Sequence, residues 1–389
     1  MPNTILSATA VTREALRVLH QKLNFVGTIT RDYDDSFAQQ GAKVGDTLKV
    51  RLPNQYVVRT GPNLAAQDTV ENSVDLKVQT QKGVDLNFTS VDLTMALDDF
   101  SERILEPAMS VLAAHIEADA MTMYRDVYNQ VQGAGPATFT RVLQARKILV
   151  DNLAPLNGRT CNLNTQDNVD LVDALKGLFN DKTTIARQNR EGFMGRTAGF
   201  DFMENTLWPS HLRGPSNAAF IVNGAGQTGA TLTVSTGAGA PAAGDVFTIP
   251  GLFRVHPETK QSTGVLQQFV VGTGATATSF PISPAIVTSG AWQNVSASPA
   301  NGAAINFAGT ASVNHGISMA YQKGAFAFAT ADMVLPTGVD FASREVFDGV
   351  SMRIVRNYDI NGDKFPCRLD VLYGFRTIRP QLACRLGNN

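Results

Sequence analysis

Apolar positions repeat at helical spacing in some stretches of this chain and alternate with polar ones in others, and the changes between the two patterns mark out its elements. Across residues 8–24, Leu16, Leu19 and Leu23 recur at helical spacing, and Ser7 or Thr12 is placed to cap the start. Arg13, Arg17, His20 and Lys22 take the other face, which reads first as a solvated face and more sharply as one turned toward nucleic acid or an acidic partner. Val44–Leu52, Val70–Val78 and Val84–Val91 alternate, the pattern of half-buried strands. The first two flank Pro53–Asp68, which contains the turn sequence Arg59-Thr60-Gly61-Pro62-Asn63. This predicts a long two-stranded arm with a polar tip. A lone ribbon is marginal in water, so its sides are expected to rest on a neighbouring subunit.

The strongest helical pattern covers residues 99–132. Asp99 and Glu102 fit a capping box, and Ile104, Ala108, Leu112, Ile116, Ala120, Met123, Val127 and Val131 keep a helical spacing. Pro107 belongs in the first turn or at a kink. From there to Val131 the helix would run about 35–40 Å at about 1.5 Å per residue. Residues 140–152 read as helix or edge strand. Asn164 or Thr165 caps a helix running to about Phe179, with Val169, Leu171, Val172, Leu175 and Leu178 as its core face. Gly192, Gly195 and Gly199 turn the chain into a strand near Ala198–Met203, and residues 350–358 and 365–379 form a hairpin around Asn361-Gly362.

Between these parts, residues 214–311 carry formal charge only at Asp245, Arg254, Glu258 and Lys260. The rest is rich in Gly, Ala, Thr, Ser and Val. Leu232–Val234, Val246–Ile249, Val265–Val271 and Phe280–Ile286 are strand-like, which predicts a small barrel or sandwich set into a helix-containing host. Charged residues make up 17% of the whole chain, where about a quarter is usual, and the net charge is −1. Dilution by the insert explains part of this deficit, and large buried interfaces explain the remainder. With so little net charge, copies repel one another weakly.

Candidate chemistry changes the picture little. Cys161, Cys367 and Cys384 are odd in number and never in C-x-x-C spacing, which suits a reducing compartment. No secretory signal is expected at the N-terminus, and no apolar run approaches the ~18 residues that span a membrane. Gly224-Ala-Gly226-Gln-Thr-Gly229 matches a dinucleotide fingerprint, but a strand rather than a helix is expected after it, which leaves a loop. Gly316-Ile-Ser318-Met-Ala320 lacks the last glycine of a nucleophile elbow, and Ser318 reads as structural. Asp359-Ile-Asn361-Gly-Asp363 places its glycine at the wrong position for a calcium loop. The five histidines are scattered, and no catalytic constellation, metal site or cofactor is expected.

The order of elements and four local stretches carry a resemblance. Asn162-Leu-Asn164-Thr-Gln166-Asp167 opens a helix. Gly192-x-x-Gly195-x-x-Ala198-Gly199-Phe200-Asp201 leads into a strand. Ala243-Gly244-Asp245-Val246-Phe247-x-Ile249-x-Gly251 begins the clear strands of the insert. Cys367-Arg-Leu-Asp-Val-Leu-Tyr373-Gly374, followed by Arg379-Pro380, ends the chain. Together they resemble a tailed-phage major capsid protein of the HK97-like fold, of the P22-type coat proteins that carry an insertion domain.

The resemblance implies an α+β fold with an inserted all-β, barrel-like domain. Its parts are residues 1–43 as N-terminal arm and helix, 44–92 as extended β arm, 93–213 as spine helix and first part of the peripheral and axial domains, 214–311 as insertion domain, and 312–389 as their remainder. It implies self-assembly through hexamers and pentamers into an icosahedral shell around double-stranded DNA. Arg51, Arg59, Gly61, Pro62 and Asn63 would make inter-subunit contacts, and Arg13, Arg17 and Lys22 would form a basic inner face. The partners implied are further copies of the chain, an external scaffolding protein, a portal protein, a decoration protein, and packaged DNA held by weak non-specific contact. No membrane is involved. The chain would be made in the host cytoplasm and reside in the virion capsid. An encapsulin-like cellular shell and a β-rich secreted binding protein are the alternatives, and an enzyme is the least favoured reading.

Overall fold

The structure is a computed structural model that describes residues 8–31, 47–64, 66–69, 71–88, 104–175, 195–217, 219–347, 349–360, 362 and 364–388. The chain divides into two compact units, one drawn from residues 1–51, 73–120 and 326–378, the other from 52–72, 121–325 and 379–389.

The first unit is built on a five-stranded antiparallel sheet. Its central strand, β19 (Phe365–Thr377), pairs with β16 (Phe326–Ala331), β18 (Val350–Arg356) and β3 (Thr80–Phe88), and β17 (Phe341–Phe347) adds to β18. The expected C-terminal hairpin is present as β18 and β19, with Arg356 opposite Cys367 and a further bridge between Asp359 and Lys364; Asn361 lies outside the described residues. Helix α1 (Ala8–Lys22) packs on β17 and β18, burying Val11, Ala15, Leu16, Val18 and Leu19. Thr12 is buried inside α1 and does not cap it; Ser7 lies outside the described residues, as do Asp99 and Glu102. The next turn, α2 (Phe25–Thr28), is fixed by Glu117, whose buried carboxylate accepts the N–H groups of Phe25 and Val26, both at 2.8 Å. These are donors that a helix start leaves unpaired.

Glu117 belongs to α3 (Glu106–Met121), which corrects the expected long helix. Its 16 residues span about 24 Å. Thr122–Asp126 then tighten into a 3-10 turn, and Val127 is extended. The apolar spacing continues through Met123, Val127 and Val131 because those residues stay buried, but beyond Met121 they are buried outside an α-helix. Val131 lies in β4 (Gln130–Gly133), which runs parallel to β20 (Ala383–Asn388), a pairing local periodicity does not reveal. Pro107 sits in the first turn, where its missing N–H is harmless.

The second unit contains a mixed sheet in the order β4, β20, β15 (Asn314–Gln322), β5 (Arg159–Leu163), β7 (Phe200–Glu204) and β6 (Arg196–Thr197), with β8 (His211–Leu212) also on β15. Residues 140–152 are helical: α4 (Phe139–Asp151) buries Val142, Ala145 and Leu149. Helix α5 (Thr165–Leu175) is capped by Asn164, whose Oδ1 accepts the Asp167 N–H at 2.8 Å. Leu171 is buried on α5, but Val169 is 57% exposed and leaves the expected core face. The inward side is instead Asp167, Asn168 and Leu171, with Asp167 accepting from Ser318 Oγ and Asn168 donating to Glu204. Ser318 thus sits within β15 as a structural residue. Between β6 and β7, Ala198 and Gly199 both have positive φ (50° and 81°), the requirement of a two-residue type I′ hairpin.

Residues 221–307 of this unit form six antiparallel strands in the order β14 (Asn306–Phe307), β11 (Val246–Val255), β12 (Ser262–Val271), β13 (Ser279–Ile286), β10 (Gly229–Ser235) and β9 (Ile221–Val222). Val222 N–H bonds Ala303 O, and Gly302 N–H bonds Val222 O, both at 2.9 Å, so β9 pairs back onto the segment entering β14 and the sheet closes into a barrel. Phe220, Phe247, Phe269 and Phe280 fill it, with Phe247 and Phe269 stacked at 5.6 Å. Gly224 and Gly226 lie in the loop before β10, where no helix follows. The entry and exit of this excursion are themselves paired: Arg213 N–H bonds Val313 O, and Ser312 N–H bonds Arg213 O, each at 3.2 Å.

All three cysteines are buried, and burial pushes their thiols up, Cys367 and Cys384 to about 12. Since the thiolate is the reactive form, native protein is expected to resist a thiol-specific reagent at pH 8 and to release three reactive thiols on unfolding in urea. Fast labelling of any of them in native protein would contradict this packing.

Candidate functional site

The arm begins as a ladder of β1 (Thr47–Arg51) and β2 (Ser73–Lys77), registered from Thr47 opposite Lys77 to Arg51 opposite Ser73. Beyond it, residues 52–72 belong to the second unit and keep a ribbon form through side chains. The Gln67 amide substitutes for a strand neighbour, donating to Val57 O at 2.5 Å while its Oε1 accepts Val57 N–H at 2.9 Å. Tyr56 and Thr69 hydroxyls meet at 3.4 Å. At the end, Gly61 adopts φ +96°, and the Arg59 guanidinium folds over the turn, donating to Gly61 O and to Asn63 O at 3.0 Å. Of the residues singled out in the sequence, Arg59, Gly61 and Asn63 are therefore brought together with Pro62 between them, and Arg59 closes the tip instead of reaching outward. Arg51 ends β1, in the other unit. Sequence reasoning missed the apolar content of this tip. Val58 and Leu64 are 88% and 87% exposed, and Tyr56 and Val57 are exposed beside them.

The basic face of α1 is matched by acids. Arg13 lies 3.5 Å from Glu345, Arg17 2.5 Å from Glu14, and Lys22 3.0 Å from Glu106. Exposed pairs of this kind contribute little stability, but they leave the face without a block of free positive charge.

A second cluster went unseen in the sequence because its members are far apart in the chain. Arg385 is wholly buried; its Nε donates to Val127 O and its Nη1 to Gly244 O, both at 2.8 Å, and its Cζ lies 5.7 Å from the Tyr124 ring centre. Burial lowers its pKa to about 10, opposed by nearby Tyr124 and Asp245. Asp245 in turn accepts from Gly214 N–H and Ala242 N–H and from His211 Nε2 at 2.9 Å. That leaves His211 Nδ1 to accept the Tyr124 hydroxyl at 3.1 Å. Two further joints tie the barrel to the mixed-sheet part of its unit. The Gln268 amide bonds both Gln130 N–H and Gln130 O at 2.8 Å, and Arg254 meets Asp151 at 2.9 Å. Asp245 and Arg254 are two of the insert's few charges, and charge retained in so neutral a stretch was the available signal.

Chemically, these arrangements are hydrogen bonds and ion pairs within one chain, which fix the arm's turn and join the barrel to the mixed sheet of its unit. Among the described residues no cluster of His, Cys, Asp or Glu is arranged to hold a metal ion, and no helix is long and apolar enough to cross a membrane.

The sequence matches the family described as P22 coat protein, gene protein 5, over residues 8–385. No curated protein matches it. Among solved structures it is similar to one from Mycobacterium phage Che8, with 12% identity, 94% of this chain and 90% of that chain covered, and a TM-score of 0.46. It is also similar to the capsid of Ralstonia phage GP4, at 8% identity over 94% and 91% with a TM-score of 0.43. A virus-like particle from Pyrococcus furiosus is similar at 6% identity over 97% and 98%, with a TM-score of 0.39.

Proposed function

The chain belongs to the P22 coat protein family, and from that premise we propose that its arm tip, residues 52–72, is the contact by which one copy grips the next. The protein is a major capsid protein of HK97-like fold; its copies form an icosahedral shell, and its place is the virion capsid. Closure of such a shell sets each copy in a hexamer or a pentamer. In our reading residues 44–92 are the extended arm, of which β3 stays in its own subunit's sheet and the tip is laid over a neighbour. Residues 93–213 and 312–389 supply the spine helix with the peripheral and axial domains, residues 214–311 are the insertion domain, and residues 1–43 are the N-terminal arm.

The observation behind this reading is the tip itself. Tyr56, Val57, Val58 and Leu64 stand exposed on a ribbon whose backbone is already satisfied by Gln67 and Arg59. Apolar side chains on a preformed ribbon suit a surface that becomes buried on association. Each contact need contribute only about 4 kcal/mol, millimolar on its own. Shell closure makes later contacts intramolecular, so modest contacts suffice and wrong ones can dissociate. Arg51, Arg59, Gly61, Pro62 and Asn63 frame this contact. Arg13, Arg17 and Lys22, each beside a carboxylate, suit at most a weak, non-specific and salt-sensitive contact with packaged double-stranded DNA. Scaffolding, portal and decoration proteins complete the proposed partners, and synthesis is in the host cytoplasm.

The test is to express the chain with and without its candidate scaffolding protein and to examine the products by sedimentation and negative-stain microscopy. Uniform closed shells with the scaffolding protein, and irregular shells or curved sheets without it, are expected. Monomers and small oligomers under both conditions would overturn the reading.

A further inference from the structure

We infer that the β11–β12 turn of the insert is a docking point for the arm of the same chain, with Lys260 holding the arm tip through Gln55. The Lys260 amine lies 3.3 Å from Gln55 Oε1 and 3.4 Å from the Gln293 carbonyl, so it joins the arm to two separate loops of the barrel. This contact falls inside one compact unit, which takes in residues 52–72 together with the insert.

Two features of Lys260 set it apart from a solvated surface lysine. Its backbone has φ +57°, the left-handed conformation that glycine or asparagine adopts more readily. The turn demands that geometry: Lys260 N–H bonds His256 O at 3.0 Å and His256 N–H bonds Gln261 O at 2.8 Å. A lysine here accepts backbone strain and in exchange places an amine against the arm. The amine is also partly withdrawn from water, and burial lowers its pKa. It makes no ion pair among the described residues, so no carboxylate accounts for its orientation. The arm side is prepared as well. Gln55 directly precedes the stretch that Gln67 and Tyr56 hold in ribbon form. Docking at Gln55 thus fixes the base of the tip, and the apolar residues beyond it stay open to another copy. The inference rests on the arm being an inter-subunit contact, and it gives the insert a role in that contact: a brace that aims the arm.

The test uses the full-length free chain carrying Gln55→Glu. A zero-length carbodiimide activates the introduced carboxylate as an O-acylisourea, the Lys260 amine displaces the reagent as its urea, and the amide left behind is detected by peptide mapping. The 55–260 link within single chains is expected, with the link between Lys147 and Asp151, 3.0 Å apart, as the internal control. Formation of the control link without the 55–260 link would overturn the inference. So would a 55–260 link found only between differently isotope-labelled copies of the free chain mixed in solution. A second variant, Lys260→Gly, relaxes the turn and removes the amine. It is expected to speed limited proteolysis within residues 52–72 on the order of fivefold, the effect of losing one modest contact. An unchanged rate would count against the brace. Both measurements are made on unassembled chain, so a failure to form shells is read separately.

Discussion

Replacing Arg385 by Met is expected to lower the stability of the subunit by about 3–5 kcal/mol, the range for breaking a buried charged network on one side. The methionine fills much of the volume but donates nothing, so Val127 O and Gly244 O lose the donors that reach them at 2.8 Å. A buried acceptor left without a partner costs about 1–3 kcal/mol. Arg385→Lys retains the positive charge but not the fork that spans two carbonyls, and an intermediate loss of about 2 kcal/mol is expected. Urea unfolding followed by circular dichroism measures both. Because Gly244 belongs to the insert and Val127 to the segment after α3, the Met variant should also release the insert to proteases before the rest of the unit unfolds. A change under 1 kcal/mol for Met would mean that withdrawing a guanidinium from water already offsets everything its hydrogen bonds contribute; the unpartnered Nη2 shows that burial here is not fully compensated.

Excision of the arm tip should act on assembly and leave folding alone. Replacing residues 54–70 by Asn-Gly keeps the β1–β2 ladder and the bond from Leu52 N–H to Asn72 O at 2.8 Å, and supplies a turn that suits it. The thermal transition of the variant is expected to match the parent, because the removed side chains are mostly exposed. Closed particles are expected to disappear from sedimentation profiles, since removing even one contact of about 4 kcal/mol weakens association about a thousandfold. Single substitutions grade the same effect. Val58→Ser and Leu64→Ser remove apolar area without touching the Gln67 and Arg59 bonds, and should raise the concentration needed for assembly. Normal shells from the excised chain would remove the arm tip from the list of essential contacts.

Much of this architecture can be read from the chain because it is local. Alternation marks β1 and β2, short strand-like runs mark the four main barrel strands, Asn164 announces α5, and Gly199 announces a turn, though Ala198 lies in that turn and not in the strand expected to begin with it. What the sequence hides is long-range. Nothing near Val127 indicates that β4 will pair with β20 some 250 residues later, so the apolar spacing of Met123, Val127 and Val131 reads as further helix. Val169 looks like a core residue by type, yet the phase of α5 is set by Asp167, Asn168 and Leu171, polar partners whose bonds to Ser318 and Glu204 no hydrophobic count includes. The group of Tyr124, His211, Asp245 and Arg385 has the same origin: each residue is ordinary where it stands, and only folding brings them together. The arm tip is the reverse case. Its turn sequence is plain, but the exposure of Val58 and Leu64 depends on what the rest of the fold packs against them, and among the described residues nothing covers them.

The paired entry and exit of the barrel carry a consequence for descent and design. Arg213 bonds Val313 and Ser312 as the next rung of the β8–β15 ladder, so the host strands meet the whole excursion as if it were the tip of a hairpin. Any foldable polypeptide whose ends lie one strand spacing apart, about 4.8 Å, can be exchanged at that rung without shifting β8 against β15. The Arg385–Gly244 bond and its companions, and the Lys260–Gln55 contact with the arm, then need a substitute. Recombination between genomes therefore has a seam here along which a module can be traded whole, and the same seam serves for grafting a foreign domain onto every one of a particle's repeating units.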